Sequence, residues 1–291
     1  PTFTFVSTVN AFILRGAKPV FVDSRPDTLN IDETKIEKLI NDKTKAIVVV
    51  HYAGVSCEMD VIIDIVKKYK LILIEDNAHG LFGKYKNNFL GTFGTFATQS
   101  FHETKNFSCG EGGSLIINDI KYIERAEIIR EKGTNRSQFF RGQVDKYSWV
   151  DIGSSFLPSE ILAAFLFAQL ENYNVIQSKR KTIWDIYYNS FKELAGKKLF
   201  RLPIIPRACS QSYHLFYILM PSLEARTDLI SFLKKCGISA VFHYVPLHLS
   251  KMGKKFGWGK GDCPIAEDLS ERLVRLPLYN SLSIDYQKKI I

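Results

Sequence analysis

The stretch Leu71-Ile-Leu-Ile-Glu-Asp-Asn-Ala-His79 places a short apolar run directly before a cluster of polar side chains. Four apolar residues in a row predict a buried strand, and the polar residues after them predict the loop at its carboxyl end. In α/β proteins, ligands gather at the carboxyl ends of parallel strands. If strands and helices alternate on either side, Asp76 and His79 are therefore the first candidates for chemistry.

Strand and helix patterns do alternate around this stretch. Apolar runs predict further strands, at residues 18–23, 46–50, 96–99 and 114–117. Helical spacing predicts helices, at residues 32–40, 59–69 and 121–132. Alternation of this kind, with continuous apolar strands, predicts an α/β protein with a mostly parallel sheet.

The rest of the chain predicts a second, smaller domain. Pro158 is well placed as the first residue of a helix, and residues 161–170 of that helix are apolar almost all round, which predicts burial. An amphipathic helix over residues 179–191 then leads into an α+β unit of alternating strands and helices, at residues 213–220, 226–235, 240–244 and 265–274. We therefore predict a large domain at residues 1–178 and a small C-terminal domain at residues 179–291.

Composition limits the classes of protein that fit. The chain of 291 residues is 46% hydrophobic and 24% charged, as in soluble globular proteins. It contains neither a signal peptide nor an apolar run of the roughly eighteen residues that a membrane span needs, which predicts a cytoplasmic protein. The net charge of +9 comes from scattered lysines, which favours a small anionic substrate over nucleic acid. The five cysteines form no CxxC pair and the histidines lack metal-ligand spacing, so we predict no metal site.

Taken singly, the candidate residues are weak evidence. Lys105 lies in a Thr-Lys-Asn loop, where a lysine is normally a solvated charge. A lysine that forms a Schiff base needs an amine that loses its proton readily, which burial beside another cation provides. Asp76 alone is more often a helix cap, and His79 alone is more often structural. Ser100, five residues before Lys105, could hold a phosphate oxygen.

Together, five motifs resemble the DegT/DnrJ/EryC1/StrS sugar aminotransferases in order and spacing. They are Pro1-Thr-Phe-Thr-Phe-Val-Ser-Thr8, Ile74-Glu-Asp-Asn-Ala-His79, Ser100-Phe-His-Glu-Thr-Lys-Asn106, Gly110-Glu-Gly-Gly113 and His243-Tyr-Val-Pro-Leu-His248. The resemblance implies a fold type I aminotransferase that uses pyridoxal 5'-phosphate and forms a homodimer. It also implies that an N-terminal segment with the first phosphate-binding turn precedes Pro1.

The resemblance further implies a role for each matching residue. Lys105 would hold pyridoxal phosphate as a Schiff base, Asp76 would bond the pyridinium nitrogen and His79 would lie near the phenolic oxygen. Ser100 would bind the phosphate, and Phe5 would stack on the ring, although core packing is the commoner fate of such a phenylalanine. His243, Tyr244 and His248 would face the sugar or the donor carboxylate, or pack between domains.

The stretch Glu131–Tyr147, with Asp151–Ser155 after it, is similar to family members that act on a dTDP-linked 4-keto-6-deoxy sugar with L-glutamate. In the ping-pong reaction this implies, the Lys105 amine anchors the cofactor and then shuttles protons. Three alternatives stay open: another nucleotide sugar, a dehydratase of the same fold, and a non-catalytic regulator or nucleic-acid binder. Lys105 argues against the dehydratase, because a dehydratase of this fold has a histidine at that position.

Overall fold

The computed structural model describes residues 1–291. The helices are α1 (Ser7–Ile13), α2 (Met59–Tyr69), α3 (Ile123–Arg130), α4 (Arg136–Phe140), α5 (Glu160–Glu171), α6 (Tyr173–Gly196), α7 (Leu223–Lys235), α8 (Lys251–Lys255), α9 (Pro264–Arg272) and α10 (Ile284–Ile290). The strands are β1 (Ala46–Val50), β2 (Ile72–Asp76), β3 (Lys84–Tyr85), β4 (Asn88–Phe89), β5 (Phe96–Ser100), β6 (Gly113–Ile117), β7 (Cys209–Ser210), β8 (Phe216–Leu219) and β9 (Leu273–Leu276). None of the helices is long and apolar enough to cross a membrane.

The main sheet carries the polar cluster that follows Ile74. Its strand order is β1-β2-β5-β6, with β2 parallel to both of its neighbours and β6 antiparallel to β5. Two smaller sheets have the orders β4-β3-β7 and β8-β9. The predicted α/β class with a mostly parallel sheet is confirmed. Because the parallel strands end on one side, Asp76 and Ser100 lie at the same edge.

Three clusters of buried apolar side chains hold these elements together. One packs α2 against β1 and β2, and another packs α6 against β8 and β9. The third joins the two halves of the chain, with Phe3 and Tyr52 from the first half against Leu215 and Leu273 from the second. The proposed domain boundary, between residues 178 and 179, falls inside α6.

Two elements predicted near the start of the chain are wrong. Residues 18–23 form no strand: Phe21 and Val22 are buried, but the Val22 carbonyl bonds only to the Thr2 N–H rather than to a strand partner. The helix predicted over residues 32–40 is two separate 3-10 turns, Glu33–Lys35 and Glu37–Leu39. In both segments, hydrogen bonds from side chains and loops replace the regular main-chain hydrogen bonds that the apolar spacing predicted.

Two elements predicted in the C-terminal part of the chain, around β9, also differ from the structure. The predicted strand at residues 240–244 is only an isolated bridge between Val241 and Arg275. The predicted helix at residues 265–274 ends at Arg272, because Leu273 and Val274 belong to β9. One edge of β9 pairs along its length with β8, and the segment around Val241 meets the other edge at Arg275 alone.

The apolar helix predicted after Pro158 is present as α5, but it is not buried. Ser159 is its N-cap, with Oγ accepting a hydrogen bond from the Leu162 N–H, so Pro158 lies outside the helix. No residue of α5 is buried, and Ile161 is 80% exposed. Burial of this helix in the core of its own chain is therefore excluded, and an apolar face this exposed indicates contact with another molecule.

Candidate active site

A cavity of about 770 Å³ opens at the carboxyl edge of the main sheet. Its walls come from the segment before α1, the ends of β2 and β5, the loop between β5 and β6, and the C-terminal half of the chain. The volume lies within the range of small-molecule sites. Seven of the residues singled out from the sequence line it, namely Phe5, Asp76, His79, Ser100, Lys105, His243 and Tyr244.

Asp76 is the last residue of β2, and two hydrogen bonds fix its carboxylate. Thr8 Oγ1 donates to Oδ2 at 2.6 Å, and the Ala78 N–H donates to Oδ1 at 3.1 Å. Each oxygen keeps further acceptor capacity. Asp76 therefore presents an oriented acceptor to the cavity, as binding of a protonated ring nitrogen requires.

Lys105 lies on the loop of residues 101–112 between β5 and β6. Main-chain hydrogen bonds close this loop, and the Lys105 N–H itself donates to the His102 carbonyl at 2.9 Å. Burial lowers the pKa of the Lys105 amine to about 8; Asp76 opposes this shift, and the charge of Arg275 adds to it. A substantial neutral fraction near neutral pH gives the amine the nucleophilic character that a Schiff-base lysine needs.

Asn106 ties the Lys105 loop to the C-terminal half of the chain. Its Nδ2 donates to the Ser212 carbonyl at 2.8 Å, and its Oδ1 lies 2.9 Å from His214 Nδ1. The His214 ring stacks on His79, with centroids 4.1 Å apart and planes 24° apart. The loop that carries Lys105 is thus held by both halves of the molecule.

Two of the histidines that line the cavity, His79 and His214, are neutral at neutral pH. Burial, reinforced by the Lys105 charge, holds the pKa of His79 and of His214 well below the usual range. His79 Nδ1 accepts a hydrogen bond from the Ala53 N–H at 3.3 Å, so its proton lies on Nε2. His79 is therefore a neutral ring with one free donor, a chemistry that fits the place predicted beside the phenolic oxygen of a cofactor.

Ser100 and Phe5 also face the cavity. The Ser100 hydroxyl accepts only a long hydrogen bond, 3.4 Å from the His102 N–H, which leaves its own proton available to an anion. Phe3 is the core residue of the N-terminal pair, at 1% exposure, whereas Phe5 is 56% exposed and lines the cavity. Of the two fates considered for Phe5, core packing is excluded.

The three predicted substrate residues separate into two groups. Tyr244 lines the cavity, as does His243, whose Nδ1 lies 2.9 Å from the hydroxyl of Tyr52. Burial lowers the pKa of His243 to about 2, with the charges of Arg275 and Lys105 acting in the same direction.

His248 does not reach the cavity. It is fully buried, and both ring nitrogens are engaged, Nδ1 with Thr2 Oγ1 at 2.7 Å and Nε2 with Glu267 Oε1 at 3.0 Å. A substrate would find no free ring nitrogen there. The structure thus assigns His248 to the packing alternative.

Among the cavity residues that sequence reasoning did not single out are Thr8 and Arg275. Thr8 lies inside the first motif, but nothing in the sequence shows that it meets Asp76. Arg275 did leave a signal, since it is a lone charge in the apolar run Leu273-Val-Arg-Leu276. That signal was lost because the run was assigned to the end of a helix.

The residues present fit pyridoxal phosphate, the cofactor that the sequence implied. An oriented carboxylate (Asp76), an amine of lowered pKa (Lys105), a free hydroxyl (Ser100) and an exposed aromatic ring (Phe5) share one cavity. These groups match the ring nitrogen, aldehyde, phosphate and ring face of the cofactor.

Comparison with known proteins agrees with this chemistry. The DegT/DnrJ/EryC1/StrS aminotransferase family matches residues 1–291. An uncharacterised protein of Methanocaldococcus jannaschii is 37% identical over 290 residues, which cover 97% of this chain and 74% of that protein. GDP-perosamine synthase of Escherichia coli O157:H7 is 34% identical over 295 residues, covering 97% of this chain and 74% of the synthase.

A solved structure extends the likeness to three dimensions. The pyridoxal phosphate form of a sugar aminotransferase from Streptococcus pneumoniae superposes with a TM-score of 0.90 at 28% identity. The match covers 100% of this chain and 77% of the other. The predicted fold type I class and the predicted cofactor are thereby confirmed.

Proposed function

Since the chain belongs to the DegT/DnrJ/EryC1/StrS family and is a pyridoxal-phosphate-dependent sugar aminotransferase, we propose that it aminates dTDP-4-keto-6-deoxyglucose with L-glutamate as donor. The product would be dTDP-4-amino-4,6-dideoxygalactose, a precursor for cell-surface polysaccharide. The sequence similarity of the stretch Glu131–Tyr147 supports this choice of sugar.

The observation that best supports this reaction is that Lys105 and Asp76 line one cavity. Bound pyridoxal phosphate supplies an electron sink for the carbon that loses its proton. In our proposal Asp76 holds the ring nitrogen protonated, and Lys105 anchors the cofactor and then moves the proton. An amine with a pKa of about 8 both accepts and donates a proton near neutral pH, as this role needs.

The stretch that supports the dTDP sugar is a single structural unit. Glu131 bridges to Ser155 and Thr134 bridges to Trp149, so its two parts pack on each other. None of its residues lines the cavity of its own chain. We therefore propose that it contributes to a site across a subunit contact.

Exposed apolar side chains supply a surface for that contact. Large apolar residues are largely exposed on α5, on β6 and at residues 120–156, among them Leu115, Ile120, Trp149, Phe156, Ile161, Phe165 and Phe167. Exposure of this extent is unfavourable in a monomer. We propose that a second copy of the chain covers this face, giving a homodimer.

The oligomeric state tests this part of the proposal. Analytical ultracentrifugation of the protein is expected to give a dimer, and Phe165→Glu is expected to give a monomer because burying the new charge is unfavourable. Phe232→Glu, a matched control on exposed α7, should leave the dimer intact. A wild-type monomer at micromolar concentration would contradict the homodimer.

A substrate panel tests the sugar. The protein, loaded with pyridoxal phosphate, is incubated with L-glutamate and the dTDP-, UDP- and GDP-linked 4-keto-6-deoxy sugars, and products are identified by mass spectrometry and NMR. We expect kcat/KM for the dTDP sugar to exceed the others by about tenfold or more, a difference of about 1.4 kcal/mol. Lys105→Ala is the inactive control. Preference for a GDP or UDP sugar would sink the dTDP assignment and leave the aminotransferase itself intact.

A further inference from the structure

Arg275 is a charged residue in an otherwise apolar strand, and it lines the cavity that holds Lys105. Its Nε is buried and has no hydrogen-bond partner, and the guanidinium forms no ion pair within the chain. Leaving a buried charged donor unpaired is unfavourable. A cation held in this way at the wall of an active site indicates an anion that arrives with a ligand.

The other charges of the cavity do not supply that anion. Asp76 already accepts hydrogen bonds from Thr8 and Ala78, and it is needed for the cofactor nitrogen. The Glu111 side chain is 84% exposed and lies beside His102. Four further lining groups, His79, His214, His243 and Tyr244, are neutral near pH 7.

The position of Arg275 selects among possible anions. Arg275 and Lys105 line the same cavity, and the charge of Arg275 helps to lower the pKa of the Lys105 amine. In an amino donor the α-carboxylate is one bond from the carbon whose nitrogen must replace the Lys105 amine. In a nucleotide sugar, by contrast, the hexose ring separates the diphosphate from the reacting carbon. A planar guanidinium also matches a carboxylate, with two parallel hydrogen bonds.

Building on the proposed function, we propose that Arg275 binds the α-carboxylate of the amino donor and so selects an α-amino acid for the first half of the reaction. The sugar substrate has no carboxylate, so Arg275 serves one half-reaction only. This asymmetry makes the assignment testable.

The first test measures binding without turnover. The probe is 2-oxoglutarate, which carries both donor carboxylates but has no amine to react with the aldehyde form of the cofactor. Isothermal titration calorimetry on the pyridoxal-phosphate-loaded protein gives its Kd. We expect Arg275→Gln to raise this Kd on the order of 100-fold, since one partner of a desolvated charge pair is removed. Arg275→Lys should recover part of the lost affinity, because lysine keeps the positive charge but cannot donate the two parallel hydrogen bonds of a guanidinium.

The second test separates the two half-reactions. Absorbance of the bound cofactor is followed after mixing with L-glutamate, and separately after mixing the aminated cofactor form with the keto sugar. Arg275→Gln should slow the glutamate half-reaction about 100-fold and change the sugar half-reaction less than about threefold. The matched control is Arg272→Gln, which removes a nearby, partly buried arginine that pairs with Asp268 and does not line the cavity.

Three outcomes would overturn the assignment. They are equal loss in both half-reactions, loss confined to the sugar half-reaction, and weakened binding of pyridoxal phosphate itself. If the unaltered protein showed no glutamate-dependent change in absorbance, the proposed function would fail, and the role of Arg275 with it.

Discussion

Thr8 Oγ1 donates a hydrogen bond of 2.6 Å to Asp76 Oδ2, which joins the first turn of α1 to the end of β2. The Thr4 hydroxyl lies 2.8 Å from that of Thr8 and donates to it, because the single proton of Thr8 is given to Asp76. Both threonines are buried. The pair of hydroxyls therefore sets the direction in which Asp76 faces the cavity.

Removing this hydroxyl is expected to weaken cofactor binding. Thr8→Val keeps the shape of the side chain but loses the donor, so Asp76 is free to turn away from the ring nitrogen. We expect Kd for pyridoxal phosphate to rise about tenfold, because a hydrogen bond to a charged group contributes about 1.5 kcal/mol. Fluorescence titration measures it, with Thr8→Ser as the control that keeps the hydroxyl. Equal affinities in the two variants would exclude a positioning role for Thr8.

The lowered pKa of Lys105 predicts a pH dependence. In the cofactor-free protein, the rate at which Lys105 captures pyridoxal phosphate should rise with pH and reach half its maximum near pH 8, because the neutral amine reacts. The unfolded chain, with an ordinary lysine, binds more protons than the folded chain between about pH 8 and 10.5. The contribution of Lys105 to the free energy of unfolding therefore rises with pH through that window. Stopped-flow absorbance gives the rate profile, and a midpoint at pH 10 or above would contradict the burial of the amine.

His51 and Glu75 form a buried pair beneath the site, with Nε2 and Oε2 2.9 Å apart. Glu75 also accepts main-chain hydrogen bonds from Gly91, Phe93 and Gly94, so it holds the glycine-rich turn before β5. Glu75→Ala leaves all these donors unpaired. We expect the free energy of unfolding to fall by about 3–5 kcal/mol.

Urea denaturation measures this loss against Glu37→Ala, which removes an exposed carboxylate paired with Lys68. The exposed pair should contribute about 0–1 kcal/mol. Similar losses in the two variants would show that the buried pair does not anchor the turn.

His248 and His243 should respond differently to substitution. His248→Ala breaks the contacts with Thr2 and Glu267, so the free energy of unfolding should fall by about 1–3 kcal/mol while KM for both substrates stays unchanged. His243→Ala should change KM, since its ring lines the cavity. Steady-state kinetics and urea denaturation of both variants measure these effects. A raised KM in His248→Ala without loss of stability would show that His248 contributes to substrate binding.

Local patterns predicted the elements that local physics determines. The apolar runs of β1 and β2 and the helical spacing of α2 gave these elements almost to the residue, because each buries a face that its own sequence defines. Asp76 and Lys105 were singled out because a strand end and a short motif carry them, and both line the cavity.

What the sequence could not show depends on pairing between distant parts of the chain. The strand β9 exists because it pairs with β8, and only that pairing turns Arg275 into a cavity residue. The exposure of α5 was equally hidden, because an all-apolar helix has the same sequence whether it faces its own core or another molecule. Likewise, the hydrogen bond from Thr8 to Asp76 joins residues 68 positions apart.

The most direct test of the central claim is to map where pyridoxal phosphate attaches. The protein is incubated with the cofactor, reduced with borohydride, digested and analysed by mass spectrometry, with Lys105→Ala treated in parallel. We predict one modified lysine, Lys105, and no Schiff-base absorbance in the variant. Labelling of a different lysine, or of none in protein that retains its fold, would contradict the assignment of Lys105.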